Sequence, residues 1–430
     1  MFCPHKNSYL QLKTSINPRI VNKVMRRAMR KKEIDAHYDI PPAQRLESMQ
    51  PSLHDPCVDV TRAQLGFGRH GLRILNRDIN SKDNLIKLHA IHTLMDQVQI
   101  SEPAIFLINL NVVYKLIVLM TDLDPNVREK VTLILTFLCN NYQGRKIILS
   151  QPVFINRLTF MFMRDSKEIR YAASVCLKTL TKHRCACAVI MKNDKIIVNL
   201  LKMINSDHGD IVILHLKSLK NLSEWDPVTP LKQSAFEAMM KLMTYRVNTI
   251  VQAAMNCLTQ LCKHSVGRKL ADMYNTMQLL RPFLVSEDLG VIISALGLMT
   301  YTTITIKAKW QIKQYVGDLS NRLIILCESH NVPLLQIRAM QVLINLCDCP
   351  DIRTHVKKHW EKKIEGIKIK THEQWDGTST FGLETGHNYR TIRIQNLETI
   401  ENDYGDVNAV NVHSYLSKVR RTKVQLLRVL

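Results

Sequence analysis

Four groups of residues in this chain have types and spacings that chemistry can use. Gly66-Phe67-Gly68-Arg69-His70-Gly71 matches G-x-G-x-x-G, in which glycines let a dinucleotide pyrophosphate approach the backbone at a helix N-terminus. That use needs a buried parallel strand before the glycines and an acidic residue about twenty positions on. Here Leu72, Leu75 and Ile79 run straight into helical periodicity and no strand precedes, so the glycines read as a lead-in to the first helix. His355 and His359 stand at i, i+4, but Val356 occupies the place where a zincin carries its glutamate. His89 and His92 stand at i, i+3 without a third or fourth ligand. Cys185-x-Cys187 and Cys347-x-Cys349, with Cys327, are the clustered thiols. Structural zinc takes wider, paired spacings, and small thiols at helix ends fill packing positions.

Phosphate loops, nucleophile elbows and kinase motifs are absent from the sequence. The expectation is a non-enzyme with no cofactor, no metal and no small-molecule substrate.

What must position any functional residue is a set of helices. The chain has 430 residues, 46% apolar and 6% aromatic, with 14 glycines and 14 prolines. That composition is apolar enough to fold and too poor in turn residues for an all-β architecture. Polar turns recur at Asp83, Asp124, Asp165, Asp207, Asn248, Asp288 and Asn331, at intervals of 41, 41, 42, 41, 40 and 43. Such a period is that of armadillo and HEAT units. Each turn follows one apolar helix and precedes a longer one ending in a leucine step: Leu135/Leu138, Leu177/Leu180, Leu219/Leu222, Leu258/Leu261, Leu343/Leu346. No single unit can bury such a stripe, so the units must stack. The fold expected is all-α, an armadillo/HEAT-like right-handed α-solenoid of about seven repeats. Gly144-Arg145 and Gly267-Arg268 lie 123 residues apart, three periods, just after leucine steps. A glycine there is expected to close a helix with φ > 0.

The organisation expected is a basic N-terminal arm over 1–54, repeats over 55–356 and an irregular tail over 357–430 with a short terminal helix. In the arm, Asn17-Pro18 opens a helix over about 18–33. Its polar side carries Arg19, Lys23, Arg26, Arg27, Arg30, Lys31 and Lys32, a basic face for an acidic partner or for capping the open end of the stack. In an armadillo solenoid the concave groove is lined by the last helix of each unit. Asn140, Asn221, Asn256 and Asn345 lie on those helices, with Trp225 beside them. An asparagine amide both donates and accepts, so it can clamp an extended peptide. One tryptophan does not make the regular Trp/Asn ladder of a nuclear-import receptor.

The net charge is +22, of which +6 falls on residues 1–54, +4 on 357–430 and +12 on the body between. A field of that sign favours acidic partners. There is no run of about eighteen apolar residues, hence no expected membrane span, and the eleven cysteines have no disulfide-framework spacing. Nucleic acid is disfavoured as a partner without being ruled out by charge.

The stretch Thr61-Arg62-Ala63-Gln64-Leu65-Gly66-Phe67-Gly68-Arg69-His70-Gly71-Leu72 runs into Leu75-Asn76 and a Ser81-Lys82-Asp83 turn. It resembles the opening of the radial spoke head protein 14 family, armadillo-type subunits of ciliary radial spokes. The Asp122–Lys130 turn and the Gly144-Arg145 step resemble that family's second repeat. The resemblance spans about residues 55–356; the Arg69-His70 order, Gly71 and both ends depart from it. It implies a structural role in the axoneme of a cilium or flagellum, supporting motility, with acidic radial spoke subunits or tubulin as partners. The other readings are an armadillo adaptor for soluble cargo, in trafficking or as a ubiquitin-ligase module, and a basic nucleic-acid-binding solenoid.

Overall fold

The computed structural model describes residues 22–28, 61–63, 69–193, 195–370 and 412–430, with 412–415 as backbone only. Every regular element among the described residues is helical. The chain divides into two compact units, Met1–Lys115 and Leu116–Leu430.

In the first unit, helices Arg69–Asp78, Asn84–Gln97 and Ser101–Asn109 enclose Leu75, Ile79, Ala90, Ile91, Leu94 and Leu107. Asp83 caps its helix by accepting from the Leu85 N–H at 2.9 Å. The Asn76 amide donates to the Leu110 carbonyl at 3.0 Å, and Arg62 pairs with Asp96 at 2.7 Å.

The second unit is organised by seven helices: α1 (Pro125–Asn140), α2 (Lys167–Thr181), α3 (Gly209–Trp225), α4 (Asn248–Lys263), α5 (Leu289–Thr302), α6 (Pro333–Cys347) and α7 (Val412–Val429). Each packs against the next in that order. Shorter helices between them cover their apolar backs, as Pro152–Arg164 covers α2 and Ile196–Ser206 covers α3. The leucine steps are the seam of this stack. Leu135, Leu138, Leu177, Leu180, Leu219, Leu222, Leu258, Leu261, Leu343 and Leu346 are all fully buried. In α5 the equivalent places fall to Met299 and Thr302, also buried. The terminal helix α7 buries Leu416, Val419 and Leu426 and packs on α6, occupying the place a next repeat would take.

The recurring acidic turns have two jobs, not one. Asp124 and Asp288 cap α1 and α5, accepting from the Asn126 and Gly290 N–H groups at 2.9 and 2.8 Å. Asp165 and Asp207 instead receive arginines from the preceding repeat. The Arg128 guanidinium holds both oxygens of Asp165 at 2.9 and 2.7 Å, and Arg170 holds Asp207 at 3.1 and 2.9 Å. Such a fork-to-fork pair fixes orientation as well as distance. At Asp288 the donors are Asn248 and Gln252 of α4, at 3.1 and 3.0 Å.

The Gly-Arg pairs also work differently from the expected cap. Gly144 and Gly267 sit in the first turn of the following helix, Tyr142–Ser150 or Ser265–Met273, and Gly267 does not use a positive φ. A Cβ on Gly267 would lie 2.1 Å from the Leu261 carbonyl oxygen, so glycine is there to let two backbones meet. The neighbouring arginine then ties off the helix just ended. Arg268 donates to the carbonyls of Cys262 and Lys263 at 3.2 and 2.7 Å. Buried Arg145 donates to the Cys139 carbonyl at 2.9 Å and meets His183 Nε2 at 2.9 Å. Because arginine only donates, His183 Nε2 is the acceptor of that contact.

Candidate partner-binding face

In the second unit, α1 to α6 share one register, counted from the residue that precedes each helix: Asp124, Ser166, His208, Val247, Asp288 and Val332. The leucine step falls eleven and fourteen residues on and turns into the stack. Residues nine, thirteen and seventeen positions on share the opposite side of the helix. There Leu133, Val175, Lys217, Asn256 and Gln341 form one half-buried row. Phe137, Thr179, Asn221, Gln260, Tyr301 and Asn345 form the next, all half-buried except the exposed Phe137. Contacts across repeats tie neighbouring helices together beside these rows. Asn221 Nδ2 reaches Thr181 Oγ1 at 3.4 Å, Lys263 Nζ lies 3.9 Å from Glu224, and Asn345 Nδ2 donates to the Thr300 carbonyl at 2.7 Å.

The sequence-derived groove residues therefore fall on one kind of surface but differ in availability. Asn221 and Trp225 are one turn apart on α3, and Trp225 is 47% exposed. Asn256 is half-buried on the adjacent α4. Asn140 is exposed, at the last residue of α1. Asn345 has its amide committed, since beside Thr300 it also donates to Thr303 Oγ1 at 3.2 Å. It acts as a tie between α5 and α6.

Of the basic arm, residues 22–28 are helical and exposed throughout, including Lys23, Arg26 and Arg27 on one side and Val24 and Met25 on the other. Arg19, Arg30, Lys31 and Lys32 lie outside the described residues.

Some residues of the chemistry-like motifs are buried and others are not: Cys185 is exposed and Cys349 half-buried. Gly71 is buried in helix Arg69–Asp78, and Gly66 and Gly68 lie outside the described residues. Cys187, Cys327 and Cys347 are buried, and burial pushes the Cys187 and Cys347 thiols up to about 12. The rings of His355 and His359 on helix Pro350–Glu365 lie with centroids 4.4 Å apart, tilted by 33°. Among the described residues no three His, Cys, Asp or Glu side chains converge as metal ligands. No single helix there is long and apolar enough to cross a membrane.

What sequence reasoning missed on this face is charge. Over the C-terminal halves of α2, α3 and α4 (175–183, 217–225 and 256–264), the charged residues other than histidine are Lys178, Lys182, Lys217, Lys220, Lys263 and Glu224. Five cations and one anion occupy a strip three helices wide. The lysines are dispersed over 86 residues of sequence, and only the common helix register brings them together.

No protein-family model matches the chain. It is similar to Vacuole morphology and inheritance protein 14 of Saccharomyces cerevisiae, 25% identical over 217 residues, 47% of this chain and 24% of that protein. The chain thus spans about a quarter of that relative's length. Among solved structures it resembles an engineered protein from the Northeast Structural Genomics Consortium, with a TM-score of 0.64 and 16% identity over 84% of this chain and 88% of that one. It also resembles a designed armadillo repeat protein in complex with the peptide (KR)4, with a TM-score of 0.50 and 12% identity over 54% of this chain and 99% of that one. The fold is that of armadillo-repeat proteins, an all-α solenoid.

Proposed function

We propose that this chain is a non-catalytic protein-binding scaffold whose partners dock on the exposed side of α1 to α6. The observation that carries the reading is a continuous strip of aromatic, amide and lysine side chains, with Trp225 at its centre and half in solvent. Aromatic and amide groups that the fold itself leaves accessible are the usual anchors of protein interfaces. The designed armadillo repeat protein was solved in complex with the peptide (KR)4, which supports peptide or protein binding as the use of the fold here. A photo-crosslinking residue placed at Asn221 is expected to give protein adducts in native extracts, while one placed at the exposed Val153 is not. Equal labelling from both positions would count against the face.

The finer placement is in the axoneme, as a radial spoke component binding acidic spoke subunits or tubulin. Its support is the resemblance around Thr61–Asp83 together with the +22 charge. Tagged protein is expected to resist detergent extraction with axonemes. A pool that instead sediments with vacuolar membranes would favour the similarity to the vacuole morphology protein. The nucleic-acid reading requires steep salt dependence on any nucleic acid and dependence on Arg26–Lys32.

A further inference from the structure

We infer that the outer face formed by helix Pro350–Glu365 and α7 is a peripheral docking surface for an anionic phospholipid membrane, held there by charge without insertion of either helix. The inference goes beyond the scaffold reading and does not rest on it. Lys357 Nζ donates to the Leu430 carbonyl at 3.0 Å, and Lys423 Nζ donates to the carbonyls of Glu365 and Ile367 at 2.7 and 2.9 Å. The two helices therefore run antiparallel. Arg428 is level with Lys358 and Lys362, and Arg420 and Arg421 are level with Lys368. All six of these cations are exposed and have no acidic partner among the described residues. The apolar side of α7 is committed to the stack, where Leu416, Val419 and Leu426 are buried.

Closing the stack asks for a polar outer face, but not for one sign of charge. Residues 416–430 hold five cations and no aspartate or glutamate. Lys358 and Lys362 stand at i, i+4, where like charges cost helix stability. On helix Ile306–Lys313, by contrast, cations are matched across repeats: Lys309 meets Asp348 at 2.9 Å and Lys313 pairs with Asp351. Arg421 and Arg428 are about 10 Å apart along the axis of α7, and packed axes lie roughly 10 Å apart. Each of the six charges is thus within about one Debye length of its neighbours at ~0.1 M salt, and they act on a surface together.

The chemistry of the face favours a membrane over other polyanions. Nucleic acid bound without sequence preference stacks its bases on aromatic side chains. Of the described side chains on these two helices, Trp360 is the one aromatic besides His355 and His359, and it is half-buried with Lys363 Nζ 5.0 Å over its ring. A peptide backbone is held by amide side chains, and Gln425 is the one amide over 353–370 and 416–430. A bilayer needs neither. It presents phosphate oxygens, which a guanidinium meets with two donors at once, and Arg420, Arg421 and Arg428 supply three such forks. Val424, 48% exposed, lies between Arg421 and Arg428 on the same side of α7, an apolar contact at headgroup level. Clusters of about four to eight Lys/Arg on one face are what anionic leaflets attract.

The test is flotation of the full chain with vesicles of phosphatidylcholine alone and of phosphatidylcholine with about one-third phosphatidylserine. The full chain carries the seven acids of residues 371–411, so any competition from them is included in the measurement. The protein is expected to float with the phosphatidylserine vesicles only, and to be released as salt rises from ~0.1 to ~1 M and the Debye length falls from ~10 to ~3 Å. Arg421→Gln/Arg428→Gln should weaken the partition about tenfold or more, and Lys358→Gln/Lys362→Gln on the other helix should weaken it in the same direction. Lys202→Gln/Lys241→Gln, the same charge change on exposed residues of helices Ile196–Ser206 and Ala235–Leu242, should weaken it less than about twofold. Far-UV circular dichroism of all three variants should match the parent. Equal losses in the three variants would show a long-range field without a site and overturn the inference. So would equal flotation with both vesicles, or tighter binding of a double-stranded oligonucleotide or of polyglutamate through the same arginines. Crosslinking at Asn221 should be untouched by these substitutions, so the scaffold reading stands or falls separately.

Discussion

Replacing Arg170 by Met isolates what holds one repeat on the next. The Asp207 side chain has no exposed surface, and two Arg170 hydrogen bonds at 2.9 and 3.1 Å account for both of its oxygens. Burial pushes the Asp207 carboxyl up, but the Arg170 pair and the His208 N–H outweigh it and hold the group below its ordinary value of 3.8. Without Arg170 a buried carboxylate keeps only the His208 N–H, at 2.8 Å. Breaking such a pair from one side costs about 3–5 kcal/mol. Asp207→Asn should cost less, about 1–3 kcal/mol, because the arginine left behind is partly exposed and can rehydrate. The double variant should be less damaged than the sum, with a coupling of about 1–3 kcal/mol. Urea unfolding followed by far-UV circular dichroism gives the energies. Hydrogen exchange locates the loss, which nearest-neighbour coupling should confine to α2 and α3 and their flanking helices. The pH dependence supplies an independent sign. A depressed carboxylate contributes stability above its unfolded value of 3.8, lost as pH falls through the folded value. In Arg170→Met that acid-side loss should disappear. A loss under about 1 kcal/mol in Arg170→Met, the cost of an exposed pair, would refute the reasoning.

Three further outcomes follow from the same packing. His215 is fully buried, and burial lowers it from 6.5 to about 4 despite the nearby Asp207. Its neutral form belongs to the fold, so stability is complete above pH 6.5 and falls by about 3 kcal/mol on approach to pH 4. His215→Met should flatten that part of the profile, and an unchanged slope would contradict it. Gly267→Ala drives a methyl group to within 2.1 Å of the Leu261 carbonyl oxygen and should cost about 1–3 kcal/mol in urea unfolding. A neutral result would mean the two backbones do not meet. Leu219→Ala removes a fully buried member of the leucine seam and should cost about 2–5 kcal/mol by the same measurement, and a loss below about 1 kcal/mol would displace the register.

The stack was legible in the sequence because its determinants are local or periodic. Asp83, Asp124 and Asp288 are caps that act two residues from themselves, and the leucine steps repeat on one stripe. The joints between repeats were hidden for the opposite reason. Arg128 and Asp165 lie 37 residues apart, as do Arg170 and Asp207, and both acids had been absorbed into the turn pattern. A signal existed, an arginine four residues into two successive long helices and an acid at the next turn. At Gly267 the sequence marks the helix boundary, but the reason for glycine there is close backbone approach and not φ > 0. The commitment of Asn345 has no sequence signal, because its partners, Thr300 and Thr303, are brought to it only by stacking. The lysine strip escaped notice because charge summed along segments hides charge sorted by face.

Photo-crosslinking groups introduced one at a time over the surface of the second unit, with protein adducts mapped by mass spectrometry, test the central claim most directly. Adducts concentrated at residues 171–182, 213–225 and 252–263 are the predicted result. Adducts concentrated instead on helices Pro152–Arg164 and Ile306–Lys313, with none on α3, would contradict the assignment of this face as the binding surface.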